Sequence, residues 1–162
     1  MSGELSKVQD FLRCGVNPNS RAVWEQELPD NKTMELTATP LHAASWNKHT
    51  GIVQTLIDAD ANVDALNEWG FSPLMAAAEV DAIDAVGFLI NAGAEVNLVA
   101  NCLDCIGETA LTIAAQSGHS GVVELLLRSG ANVAHQQDDG STALDLAMQE
   151  NHAEIVQLLQ AQ

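Results

Sequence analysis

Cations are scarce in this sequence. Six Lys and Arg stand against 22 Asp and Glu in 162 residues, a formal net charge of −16. Affinity for phosphate backbones comes from Lys and Arg that displace counterions, so nucleic-acid binding through a basic surface is set aside. An anionic membrane surface is disfavoured for the same reason. Long apolar runs are missing as well, and none approaches the ~20 residues of a membrane span. The opening Met1-Ser2-Gly3-Glu4 has neither the basic nor the apolar part of a secretory signal, so none is expected. Cysteine is rare and odd in number, three in all, whereas disulfide-stapled secreted domains carry an even set. Together these shortages predict a soluble chain in a reducing, cytoplasmic setting. A Gly-rich phosphate loop, a Gly-x-Ser-x-Gly elbow and a His-Glu-x-x-His pair are all absent, so neither catalysis nor a cofactor is expected.

What the sequence has is a core and a period. Hydrophobic residues make up 47% of the chain, enough to pack one domain or one short array. Thr39-Pro40-Leu41-His42-Ala43-Ala44 recurs as Ser72-Pro73-Leu74-Met75-Ala76-Ala77, Thr109-Ala110-Leu111-Thr112-Ile113-Ala114 and Thr142-Ala143-Leu144-Asp145-Leu146-Ala147. The offsets are 33, 37 and 33 residues. A second apolar element follows each at fixed distance, as in Ile52-Val53 with Leu56-Ile57 and Val122-Val123 with Leu126-Leu127. Then comes Ala61-Asn62-Val63-Asp64, repeated as Ala94-Glu95-Val96-Asn97 and Ala131-Asn132-Val133-Ala134. A fixed period of this length marks a stack of repeats.

This pattern resembles the ankyrin repeat family over nearly the whole chain. The resemblance implies an all-α repeat solenoid of stacked helix–turn–helix units with connecting β-hairpins and a concave face. Local chemistry agrees. Thr39, Ser72, Thr109 and Thr142 stand where a helix N-cap belongs, and Pro40 and Pro73 at the first helical position. Thr142 and Asp145 have capping-box spacing, and the resemblance gives His42 a bond to its own cap threonine. Gly15, Gly93 and Gly130 are expected to end the second helices in a left-handed turn, with Asp60 in that place once. Gly118, Lys48, Asp81 and Asn151 occupy the turn between helices.

The chain divides as an incomplete capping repeat 1–19, an extended hairpin insertion 20–38, and repeats 39–71, 72–108, 109–141 and 142–162. The first unit lacks its leading helix. Either the N-terminal cap is one helix, or the sequence is part of a longer polypeptide. The insertion reads as a hairpin, with Arg21 to Leu28 and Lys32 to Thr39 about a turn at Pro29-Asp30-Asn31; a plain surface loop is the alternative.

His49, His119 and His152 share one repeat position and read as structural. His135 alone is unexplained by register. Cys102-Leu103-Asp104-Cys105 lies in the enlarged third hairpin. No metal is expected; Cys102, Cys105 and His135 are the candidate ligands should one bind, and a reversible disulfide or a plain loop are the alternatives. Phe11 and Phe88 align with core positions of the second helices and are expected to be buried.

The leading functional reading is a protein-binding module, with an inhibitor, immunity-type or adaptor role and a basic partner. Between Lys48 and Arg128 there is no Lys or Arg, while that stretch carries eleven acidic residues. Expected contacts are Trp24 and Glu35 in the first hairpin, Trp46 on the variable inner-helix position, Glu68, Trp69 and Phe71 at a hairpin tip, and Glu79, Glu108, Asp138 and Asp139 around them. Alone, the chain is expected to be a monomer. The alternatives are a docking segment of a larger polypeptide and a Cys-x-x-Cys redox or zinc sensor.

Overall fold

The structure, a computed structural model, describes residues 2–27, 33–100 and 107–162; at 2–4, 11, 22–27 and 33–36 only the backbone is described. Helix α1 spans Ser2–Arg13, and strands β1 (Ala22–Glu27) and β2 (Thr33–Ala38) follow. Four helix pairs come next: α2 (Pro40–Trp46) with α3 (Thr50–Asp58), α4 (Pro73–Glu79) with α5 (Ile83–Asn91), α6 (Ala110–Ser117) with α7 (Ser120–Arg128), and α8 (Ala143–Gln149) with α9 (Ala153–Gln160). The first helices form one row, α2 on α4 on α6 on α8. The second helices form another, α1 on α3 on α5 on α7 on α9. This is an all-α repeat solenoid.

Each inner helix starts for a local reason. Ser72 Oγ accepts from the Met75 N–H at 3.2 Å, Thr109 Oγ1 from Thr112 at 3.3 Å and Thr142 Oγ1 from Asp145 at 3.2 Å, each satisfying an orphan amide of the first turn. At Thr142 the box closes, because the Asp145 carboxylate accepts from the Thr142 hydroxyl at 2.6 Å and from its N–H at 2.9 Å. His42 plays that part in the first repeat, with Nδ1 2.8 Å from Thr39 Oγ1.

Small residues let the inner helices approach closely. Ala44, Ala77, Ala78, Ala114, Ala115 and Ala147 are buried between neighbours. Leu41, Leu74, Leu111, Val53, Val86, Val123, Leu56, Leu89 and Leu126 fill the space between the two rows, at 0–2% exposure. Burying each such side chain is worth about 1.5–3 kcal/mol. Phe88 is not among them. It is 37% exposed, which corrects the expectation of a core residue. Leu89, one residue on and so turned by ~100°, takes the inward position instead. The side chain of Phe11 lies outside the described residues.

Left-handed backbone stands where the repeat requires it. Gly15, Gly93 and Gly130 have φ of 82°, 89° and 86° after the second helices, and Asp60 has φ 60° in the same place. Lys48, Asp81 and Asn151 adopt φ of 57°, 56° and 61° between helices, where Gly118 has 82°.

Side chains also tie each repeat to the next. Asn19 Nδ2 donates to the Asp60 carbonyl at 3.3 Å while its Oδ1 accepts from Asn62 N–H at 2.7 Å. Asn97 does the same with Gly130 and Asn132, at 3.1 and 2.8 Å, and Asp64 accepts from Glu95 N–H at 2.9 Å. Strands β1 and β2 pair antiparallel from Ala22 with Ala38 to Glu27 with Thr33. The base of the pair is fixed to the next hairpin: Arg21 Nη2 donates to the Leu66 carbonyl at 2.7 Å, and Glu68 Oε1 accepts from Thr37 N–H at 2.9 Å.

Candidate functional site

Seven residues after each cap, the inner helices carry Trp46, Glu79, Gln116 and Gln149. This row varies in chemistry while the alanines at 44, 77, 114 and 147 two positions before it stay buried, so it is where the stack presents difference. Trp46 and Glu79 are half-buried; Gln116 and Gln149 are exposed. Where the second and third repeats meet, the row opens on a recess of about 410 Å³. Phe71 and Ile113 give it apolar walls, Gln116 and Ser117 line it, and Glu79, Glu108 and Glu150 supply carboxylates.

Among the described residues no cation compensates the recess. Burial pushes the Glu79 carboxyl above its ordinary range, and the Glu108 charge pushes it further. Burial raises Glu108 as well. Among the described residues the ion pairs are Arg13 with Asp10 and Arg128 with Glu124, so none of the three carboxylates of the recess pairs with a cation there. His119 donates from Nε2 to the Glu79 backbone carbonyl at 2.9 Å and so is committed to the main chain.

The hairpin tips are built by turn chemistry. Asn67 Oδ1 accepts from the N–H groups of Trp69 and Phe71, at 3.0 and 2.9 Å, and Asn67 N–H donates to the Phe71 carbonyl at 2.9 Å. His42 Nε2 donates to that same carbonyl, also at 2.9 Å. A carbonyl can only accept, so Nε2 carries the proton and Nδ1 is free to accept from Thr39. Burial, the larger influence, holds this imidazole below its ordinary range and keeps it neutral. In the last hairpin Asp139 Oδ1 accepts from Ser141 N–H at 2.9 Å, and these bonds lower its carboxyl.

A family model for ankyrin repeats in three copies matches residues 1–100 and again 98–162, which together span the chain. The chain belongs to the ankyrin repeat family. It is 38% identical over 95 residues to the ankyrin repeat and KH domain-containing protein mask-1 of Caenorhabditis elegans, covering 59% of this chain and 4% of that protein. Over 103 residues it is 39% identical to the human ankyrin repeat and KH domain-containing protein 1, covering 64% of this chain and 4% of that protein. Human inversin is 36% identical over 96 residues, covering 59% of this chain and 9% of inversin. The chain thus spans less than a tenth of the length of these relatives. Ankyrin repeats are in general protein-interaction modules, and the relatives' names are not those of enzymes.

On this ankyrin stack the expected contact residues fall into three places. Phe71, Glu79 and Glu108 come together in the recess. Trp69, exposed Glu68, and exposed Asp138 and Asp139 lie on the hairpins. Trp69 and Phe71 are half-buried rather than free-standing, and Phe71 packs against the core. Glu68 also holds the first hairpin through Thr37. Trp24 and Glu35 sit on β1 and β2, and their side chains lie outside the described residues. So do Cys102, Asp104 and Cys105. His135 donates from Nε2 to the Gly107 carbonyl at 2.7 Å, which gives it a structural role between hairpins. The expectation did not include Ile113, Gln116, Ser117 and Glu150, although Gln116 stands seven residues after its cap just as Trp46 does.

Proposed function

We propose that this chain is a stoichiometric protein-binding module that takes a basic partner across its hairpin tips and inner-helix row, in an inhibitor, immunity-type or adaptor role in the cytoplasm. The observation that carries this reading is the recess beside Phe71, where two half-buried carboxylates share space without a cation. A protein surface pays for such an arrangement in stability, and a cation from a partner relieves it. The 79 residues from His49 to Leu127 contain no Lys or Arg to do so from within. Trp46 and Trp69 supply the aromatic area that anchors interfaces.

Capture from native lysate with elution by a salt step would identify the partner. Trp46→Ala and Trp69→Ala are then each expected to weaken binding by roughly 2 kcal/mol or more, with the fold retained. Parent-like binding by both variants, or unfolding of both, would move the site elsewhere.

A second reading, a docking segment of a longer polypeptide, draws on a recess of about 470 Å³ on the N-terminal side of α2. Val8, Pro40, Ala43, Ala44 and Ile52 line it. Solution behaviour separates the two. A self-sufficient binder is a monomer with one cooperative melt, whereas an uncovered apolar end dimerises or frays.

A further inference from the structure

We propose that the recess between Glu79 and Glu108 seats one arginine side chain of the partner, its guanidinium laid against Phe71 and its N–H groups forked onto the two carboxylates. The inference rests on the reading that a basic protein docks here, and it names the side chain that decides the docking.

Three features select this occupant. The recess joins an aromatic and aliphatic wall, Phe71 and Ile113, to two carboxylates of one repeat, Glu79 at the end of its inner helix and Glu108 just before the next. A guanidinium is planar, weakly hydrated, stacks on aromatic faces and offers several donors in a fixed fork. A lysine ammonium is a compact, strongly hydrated point charge that uses the carboxylates but gains less from the ring. A divalent metal takes oxygen ligands and gains nothing from Phe71 or Ile113.

The seat is also coupled to protons. Burial raises both carboxyls, so they gather protons at mildly acid pH more readily than exposed glutamates do. A seated cation favours the ionised form and expels those protons, so affinity rises with pH through the mildly acid range. Beside Glu108, the last hairpin brings Asp138, whose carboxylate stands against Gly107, and His135, bonded to the Gly107 carbonyl. Glu150 lines the recess, and His119 is bound to the Glu79 carbonyl. Of the helices packed on α4, α2 brings only His42, buried and bonded to Thr39 and Phe71, and α6 brings none. Helix α5 brings Asp84, which is exposed, and α8 beyond α6 brings Asp145, bonded to Thr142.

The test is NMR on the full chain, following the Glu79 and Glu108 carboxyl carbons and the Phe71 ring while N-acetyl-arginine amide is added. N-acetyl-lysine amide and calcium chloride serve as parallel probes. The arginine probe is expected to move all three residues' signals and to bind roughly 5-fold more weakly at about pH 5 than at about pH 7. Glu79→Gln and Glu108→Gln should each weaken it by about 5-fold or more, and Phe71→Leu should erase its advantage over lysine. Signals that move elsewhere, equal response to lysine or calcium, pH-independent binding, or unaffected Gln variants would overturn the seat. If the Gln variants bind the captured partner normally while Trp46→Ala does not, the seat fails and the binding-module reading stands. If the probe binds as described but no basic protein is captured, the reverse holds.

Discussion

His119 Nε2 lies 2.9 Å from the carbonyl oxygen of Glu79, and this bond fastens the turn of the third repeat to the end of the inner helix before it. His152 repeats the contact one unit later, on the Gln116 carbonyl at 3.0 Å. Both acceptors belong to the variable row, so the row's side chains change while its backbone is held in place.

Neutral His42 ties its own cap, Thr39, to the hairpin tip at Phe71, and protonation would cost the Thr39 bond because Nδ1 could no longer accept. Its folded pKa is lowered from 6.5, so the unfolded chain binds the proton more readily. Its contribution to stability is therefore complete above about pH 6.5 and is lost as pH falls towards the folded value. His42→Ala should cost about 1–3 kcal/mol in urea unfolding at neutral pH, and the variant should lose less than the parent on acidification.

The Glu79 and Glu108 carboxyls are shifted the other way. Their folded pKa values are raised, so the folded state holds more protons and loses stability as pH rises from the ordinary 4.5 through the folded value. Glu79→Gln and Glu108→Gln should each leave the free protein at least as stable at neutral pH, with a gain of up to ~0.5 kcal/mol. Thermal melts against pH check this, and a clear loss on either substitution would show that the carboxylates have favourable partners in the free chain.

Positions with positive φ can be sorted by their surroundings. Asp60 holds φ 60° where three equivalent positions use glycine, so Asp60→Gly is expected to stabilise by roughly 0.5–1 kcal/mol. Gly118→Ala is expected to do the opposite by ~1–3 kcal/mol, through strain at φ 82° and overpacking. Its Cβ would stand 2.6 Å from Cε1 of the His152 ring that links two repeats. Paired urea curves read both.

Cys102 and Cys105 fall between the recurring helix motifs of the sequence. Cys102→Ser with Cys105→Ser should shift stability by no more than ~0.5 kcal/mol, with or without chelator during purification. A several-fold larger loss would make the pair structural.

Once the partner is in hand, its on-rate should fall from low to physiological salt, as the Debye length shrinks to ~8 Å. A flat profile in stopped-flow would remove long-range steering from the account.

The fold was legible because its determinants recur in register. Thr39, Ser72, Thr109 and Thr142 announce the helix starts, and the glycines at 93 and 130 announce the ends. The recess was only half legible. Glu79 and Glu108 are 29 residues apart, and stacking alone brings them together; each could be named as acidic, but their shared desolvation belongs to the packed pair. Phe88 shows the other limit. Alignment with Leu125 identifies the apolar stripe of an outer helix, but not which residue of that stripe lies at its edge. The ties from Asp64 and Asn97 had a signal in the Asp or Asn that follows Ala61-Asn62-Val63 and Ala94-Glu95-Val96, which Asn19 after Val16-Asn17-Pro18 does not share. It is read as structural once the neighbouring repeat is seen to receive it.

Those ties have a mechanical meaning. Each spans one boundary between hairpins, and the two helical rows are likewise joined neighbour to neighbour. Under tension applied at the termini, such an array gives way unit by unit, with each peeled repeat exposing the boundary of the next. A load would travel along the chain as a moving front, and the extension at each step would be that of one repeat.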